Sequence, residues 1–180
     1  MKNVAYSILK EIKETAQQLD ERALFLFAQE LQDANRIFLC GTGRCDLIIR
    51  SFAMRLMHLS LSCHVVRDVT TPAIQKDDLL VLCTLNPDNK GLVDIAKKAY
   101  LKHAHVALLS PQSESPIGDL AKVNVLVPKT LTQSGLPSMQ SGGVVFEQCC
   151  FVVFETLILH LTGRLNRSNE TLLQNRANLE

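Results

Sequence analysis

Two features of this 180-residue sequence have the makings of chemistry: a glycine turn between an apolar run and a helical one, and a lone acid within the most apolar helical stretch of the chain. Gly41-Thr42-Gly43-Arg44-Cys45 follows Arg36-Ile37-Phe38-Leu39-Cys40 and precedes Leu47, Ile48, Phe52, Leu56 and Leu59 at helical spacing. Glycines there let backbone approach a ligand, and the start of the next helix offers free N–H groups and a partial positive charge, which suit a phosphate. A dinucleotide fingerprint needs a third glycine where Asp46 stands, so a Rossmann cofactor is not expected. The plainer alternative is a turn that only reverses the chain. Glu147 shares a helical face with Phe151, Phe154 and Ile158. A carboxylate on such a face is either a desolvated general base or a buried acid paired with an arginine.

The elements that must position these groups follow from hydrophobic periodicity. Val4, Ile8, Ile12 and Leu19, then Leu24, Phe27, Ala28 and Leu31, predict two helices before the first strand. Short runs apolar on both faces recur at residues 36–40, 63–66, 79–83, 106–109 and 123–127, with a helix bearing Leu92, Ile95, Ala96 and Ala99 between the third and fourth. Strands of this kind imply a parallel sheet covered by helices, with its ligand crevice beyond the carboxyl ends of the strands. Residues 128–140, rich in Thr, Ser, Gly and Pro, read as a long loop of the kind that carries function. The apolar helix from Gly143 to Leu161 follows, with Gly163 as its expected breaker.

Bulk properties exclude several classes. With 47% hydrophobic and 21% charged residues and a net charge of +1, the chain is an ordinary globular domain, and its basic residues are scattered among acids rather than striped as nucleic acid binding demands. Met1-Lys2-Asn3-Val4-Ala5-Tyr6 lacks the apolar run of a secretory signal, and no uninterrupted apolar run reaches membrane-spanning length, so a cytoplasmic protein without membrane partners is expected. The six cysteines include no C-x-x-C pair and read mainly as reduced core thiols.

Several stretches carry a resemblance: Gly41-Thr42-Gly43-Arg44, Ser51-Phe52-Ala53-Met54-Arg55-Leu56-Met57-His58-Leu59, Thr71-Pro72-Ala73-Ile74, Ile95-Ala96-Lys97-Lys98-Ala99, Ser138-Met139-Gln140, Phe146-Glu147-Gln148 and the terminal Ala177-Asn178-Leu179-Glu180. In this order, from the N-terminal helices to the last residue, they resemble the 6-phospho-3-hexuloisomerase family of SIS (sugar isomerase) proteins. The resemblance implies a single-domain three-layer α/β/α sandwich with a five-stranded parallel sheet in flavodoxin-like order. Its parts would be N-terminal helices over 1–34, the sheet core over 35–128 and C-terminal helices over 143–180 that pack in an oligomer, a homotetramer with shared active sites. It also implies a reaction on a small-molecule sugar phosphate. The carbonyl of a 3-hexulose 6-phosphate moves by one carbon through an enediol to give fructose 6-phosphate, with no cofactor or metal. Glu147 would be the base. Gly41, Thr42, Gly43, Arg44, Cys45, Thr84, Asn86, Asn89 and Gln140 would hold the substrate, Arg44 through its planar fork. Asp68 and Thr71 are weaker candidates, and Thr71-Pro72 also fits a simple turn.

The chain departs from the family pattern where that pattern grips phosphate. A Ser-Gly-Ser-Gly-Glu-Thr loop is replaced by Thr84-Leu85-Asn86-Pro87-Asp88-Asn89, which lacks both glycines, and Pro87 has no N–H to donate. Cys45-Asp46 replaces Ser-Gly, Ser141-Gly142 replaces Pro-Met, and Arg176 replaces a histidine. Losing two or three charge-assisted hydrogen bonds at about 1.5–3 kcal/mol each weakens phosphate binding by orders of magnitude unless something compensates. A sugar-phosphate isomerase is therefore expected, with a non-catalytic, regulatory phosphosugar-binding protein as the alternative.

Overall fold

The computed structural model describes residues 1–129 and 138–178. Two helices, α1 (Lys2–Ala16) and α2 (Glu21–Asp33), lead into β1 (Ile37–Gly41), α3 (Arg44–His58), β2 (Cys63–Val65), β3 (Leu79–Cys83), α4 (Lys90–Leu101), β4 (His105–Ser110), β5 (Val123–Leu126), α5 (Val144–Arg164) and α6 (Asn169–Gln174). All strand pairs are parallel, in the order β2-β1-β3-β4-β5. This is the expected α/β/α sandwich in flavodoxin-like order. The chain reverses its direction of travel across the sheet between β1 and β3, which opens a crevice above their carboxyl ends.

Strand alternation divides the core into two clusters. Leu39, Val81, Ala107 and Val123 face α1, α2, α3 and α5, whereas Phe38, Leu80, Leu82, Val106 and Leu108 face α4 and the segment around Ile117. β1, β3 and β4 are buried on both faces almost throughout, which explains why their sequences read as apolar runs, whereas the edge strands β2 and β5 carry His64 and Asn124 and are only partly buried. On the first face Phe52 of α3 stacks on Phe154 of α5, with centroids 4.3 Å apart and planes at 10°.

Side chains fix three helix starts: Asp20 caps α2 by accepting from the Arg22 amide, Asn89 caps α4 through Leu92, and Ser168 caps α6 through Thr171. The starts of α3 and α5 have glycine N-caps and no such side-chain bond. Gly143, at φ 78°, needs the left-handed conformation and also leaves room for Leu85, whose methyl carbon would lie 2.8 Å from an added Cβ.

Several expectations change. Val4 is half exposed, whereas Ile12 and Leu19 pack partly buried against the core beside the buried Glu11 and Thr15 of α1. Gly163 does not stop α5, which continues to Arg164 and ends where Asn166 turns left-handed at φ 49°. Asparagine tolerates that conformation, so it performs the terminating role assigned to the glycine. Ser141–Arg164 is long and apolar enough to cross a membrane, yet 56% of its apolar window is buried inside the fold, where it serves as a core helix. Of the predicted loop at 128–140, residues 130–137 lie outside the described residues, as do Leu179 and Glu180 of the terminal signature.

Candidate active site

The glycine turn divides its work. An added Cβ on Gly41 would lie 2.7 Å from the Asp46 amide nitrogen and 2.8 Å from the Cys45 carbonyl carbon, so this glycine admits the first turn of α3 rather than a ligand. Gly43, with φ 58° and ψ −131°, is the residue that requires glycine for its conformation, and open space surrounds its Cβ position. Arg44 is thereby delivered to the first position of α3, in front of the first turn of α5.

There it meets Glu147. Arg44 Nε donates to Glu147 Oε2, and Arg44 Nη2 donates to the Gly142 carbonyl at 2.8 Å. The Arg44 side chain is 57% exposed and that of Glu147 only 7%. The carboxylate thus sits at the base of the pair with the guanidinium as its outer wall, and the hydrogen bond that Arg44 donates to Glu147 raises the Arg44 pKa above its ordinary value. Glu147 is thus a buried acid paired with an arginine, the second of the two alternatives, and it also borders a cleft of about 490 Å³. Ile12, Leu47, Ile48, Val144, Gln148, Phe151 and Val152 complete that cleft. Phe154 and Ile158 are buried behind the carboxylate as expected, whereas Phe151 is 45% exposed and forms part of the cleft wall.

The remaining predicted ligands have other engagements. The Thr42 hydroxyl lies 3.4 Å from that of Thr84, so the β1 and β3 loops meet at the crevice. Thr84 is fully buried, and its Oγ1 donates to the Asn86 carbonyl and accepts from the Asn86 amide, which folds the loop on itself. Asn86 Oδ1 accepts from the Asp88 amide at 3.1 Å, and Asn89 Oδ1 accepts from the Leu92 amide at 3.2 Å. Two of the oxygens that could have met a sugar therefore shape the turn and cap α4. Cys45 is a core thiol instead of a ligand: it is 2% exposed and lies against Cys83, which in turn neighbours Cys150. The Cys83 contact, and then burial, push its thiol well above the ordinary range. Asp46 pairs with Arg50 at 2.8 Å, and Arg50 reaches Asp68 at 3.1 Å, so one guanidinium is shared between two acids and screens each only in part. Thr71 donates to the Val65 carbonyl and sets a turn.

Gln140 interlocks with Gln148 through reciprocal amide bonds of 2.9 and 3.0 Å, and its Nε2 also reaches Glu11 at 3.3 Å. Glu11 escaped the sequence reading, although Ile8, Glu11 and Thr15 have the i, i+3, i+7 spacing of a buried stripe. Its carboxylate, 8% exposed, accepts from Met139 N–H at 2.7 Å and Ser138 Oγ at 2.8 Å. Burial raises its pKa, but the Met139 amide, the Ser138 hydroxyl and the Gln140 amide outweigh burial and bring it below the ordinary 4.5. A carboxyl with a lowered folded pKa stabilises the protein above the unfolded value and loses that contribution as pH falls through the folded one. Urea unfolding between pH 7 and pH 3 is therefore expected to show a decline below about pH 4.5 that is shallower in Glu11→Gln. Equal slopes would contradict this assignment.

Residues 30–146 match the SIS domain family model. The 3-hexulose-6-phosphate isomerase of Mycobacterium gastri is 36% identical over 94% of this chain and 86% of the relative. That of Bacillus subtilis strain 168 is 31% identical over the full length of both. A Methanococcus jannaschii crystal structure, for which a molecular function of 3-hexulose-6-phosphate isomerase was inferred, superposes with a TM-score of 0.80 at 26% identity, covering 98% of this chain and 97% of that one.

Proposed function

Because the chain belongs to the SIS domain family, we propose that it is a sugar-phosphate isomerase converting a 3-hexulose 6-phosphate to fructose 6-phosphate, with Glu147 as the base. The observation that carries this reading is the buried Glu147 carboxylate, held by Arg44 at the start of α3 beside a cleft lined by α1, α3 and α5. The carboxylate removes the proton from C2 of the hexulose, and an enediolate forms across C2 and C3 with its negative charge on O3. The same carboxyl returns the proton to C3 while the hydroxyl proton of O2 passes to O3, which leaves the ketone at C2 and a hydroxyl at C3, so atoms balance without oxidant or metal. Arg44 offers further N–H donors to the oxygen on which negative charge develops. Phosphate binds near the uncapped start of α3, beside Thr42.

A specific observation favours a second reading, in which a phosphosugar binds without turnover. Asn89 caps α4, and the Thr84 hydroxyl is committed to its own loop, so the β3 loop brings fewer free donors to a phosphate than the Ser/Gly pattern it replaces. A coupled assay for fructose 6-phosphate, run beside a thermal-shift series with sugar phosphates, separates the two. Turnover with millimolar affinity is expected; for a Kd of about 1 mM, 10 mM ligand stabilises by about 1.4 kcal/mol, or roughly 3–5 °C. A shift without turnover would select the second reading, and no shift with any sugar phosphate would defeat both.

Exposed apolar residues on α3 and α5, including Leu47, Phe151, Val152 and Leu159, support assembly into a homotetramer in which the C-terminal helices pack between subunits. Six free cysteines support residence in the reducing cytoplasm. A light-scattering mass equal to one chain in dilute solution would refute the assembly.

A further inference from the structure

The carboxylate of Glu11 lies on a different helix from every group assigned to the reaction, yet among the described residues its hydrogen-bond partners all belong to the segment that enters the site. These partners, the Ser138 hydroxyl, the Met139 N–H and the Gln140 side-chain amide, are neutral donors that satisfy both oxygens of a buried ion. The fastening comes just before two consecutive glycines with positive φ, Gly142 at 68° and Gly143 at 78°, where the backbone has its greatest freedom. Beyond it, two connections lead to the proposed base. Gln140 interlocks with Gln148, the neighbour of Glu147 on α5. The Gly142 carbonyl accepts from Arg44, whose Nε holds Glu147.

Building on the isomerase reading, we infer that Glu11 is a positioning residue: by fastening residues 138–140 it sets the Gly142 carbonyl that aims Arg44, and so fixes the Glu147 carboxylate against the substrate. A carboxylate suits this task because it presents acceptors alone. A glutamine in its place must turn its NH2 toward one of the same three donors. Glu11→Gln therefore unfastens the segment without emptying the site, whereas Glu11→Asp keeps the charge and both acceptors one methylene further back.

The test pairs kinetics with amide exchange on the full-length protein. In Glu11→Gln, kcat is expected to fall by about 10- to 100-fold with KM changed less than about threefold, since the fault lies in aim rather than in ground-state contacts. Glu11→Asp should recover part of the loss. Hydrogen–deuterium exchange should quicken at Met139 and Gln140 by at least about tenfold in Glu11→Gln while the β3 amides of residues 79–83 remain protected, which shows that the fold is intact. Unchanged exchange at Met139, or quickened exchange with wild-type kcat, would overturn the inference, as would a fall in kcat accompanied by loss of protection in β3. If the wild-type protein turns over no hexulose phosphate, the isomerase reading fails separately. The exchange data then decide the fastening alone: quickening supports it and unchanged protection overturns it.

Discussion

Replacing Glu147 with glutamine is expected to lower kcat for hexulose phosphate isomerisation by about 10²- to 10⁴-fold, the range that a positioned general base contributes. The substitution is isosteric. An amide oxygen can still accept from Arg44 Nε, so the arginine keeps its place, but the amide cannot take a proton from carbon at neutral pH. Ligand-induced stabilisation should survive, because the phosphate contacts near α3 are untouched. Steady-state kinetics and a thermal-shift titration on the same preparation separate the outcomes. Loss of turnover with retained binding fits a base, and loss of both fits a structural acid. Near-wild-type turnover would move the role to another residue.

The second large effect concerns the frame that holds the pair. Phe154 and Phe52 are each 2% exposed and stack at 4.3 Å, joining α5 to α3 in the middle of the larger core cluster. Phe154→Ala removes a buried ring and leaves a cavity between two helices that cannot close without shifting, with an expected loss of about 3–5 kcal/mol. For a chain of this size that corresponds to a fall in Tm of roughly 10 °C. It is also a large part of the roughly 5–15 kcal/mol of a typical domain. Arg44 begins α3 and Glu147 lies in the first turn of α5, so surviving protein should show impaired turnover as well. Urea unfolding checks the stability, and a loss below about 1 kcal/mol would mean that the two helices are not locked through this stack.

What could be read from the sequence follows from which interactions are local. The inner strands β1, β3 and β4 were legible because burial on both faces makes them short apolar runs, and the expected bounds of Leu79–Cys83 agree to the residue. The start of α3 was legible because a glycine turn between a strand and a helix has few structural solutions. The end of α5 was not, since Gly163 and Asn166 are both plausible terminators and only tertiary context decides between them. At the site, the apolar face of α5 singled out Glu147, but its arginine partner lies 103 residues earlier and no local pattern pairs them. The fates of Asn86, Asn89 and Gln140 were hidden for the same reason. A side-chain amide serves a turn, a helix cap or a ligand equally well, and each of these found a partner within the fold. Glu11 was visible in its spacing with Ile8 and Thr15, but the neighbouring Lys10, Lys13 and Glu14 made it resemble one more charge on a solvated helix.

The most direct test of the proton transfer starts from the product. Fructose 6-phosphate incubated with the protein in D2O, and followed by proton NMR, reports which carbon-bound hydrogen the base removes. Abstraction by Glu147 predicts loss of the C3 hydrogen signal, persistence of the C1 hydrogens, and no exchange in Glu147→Gln. Deuterium entering at C1, no loss at C3 with the wild-type protein, or undiminished C3 exchange in the variant would contradict the account.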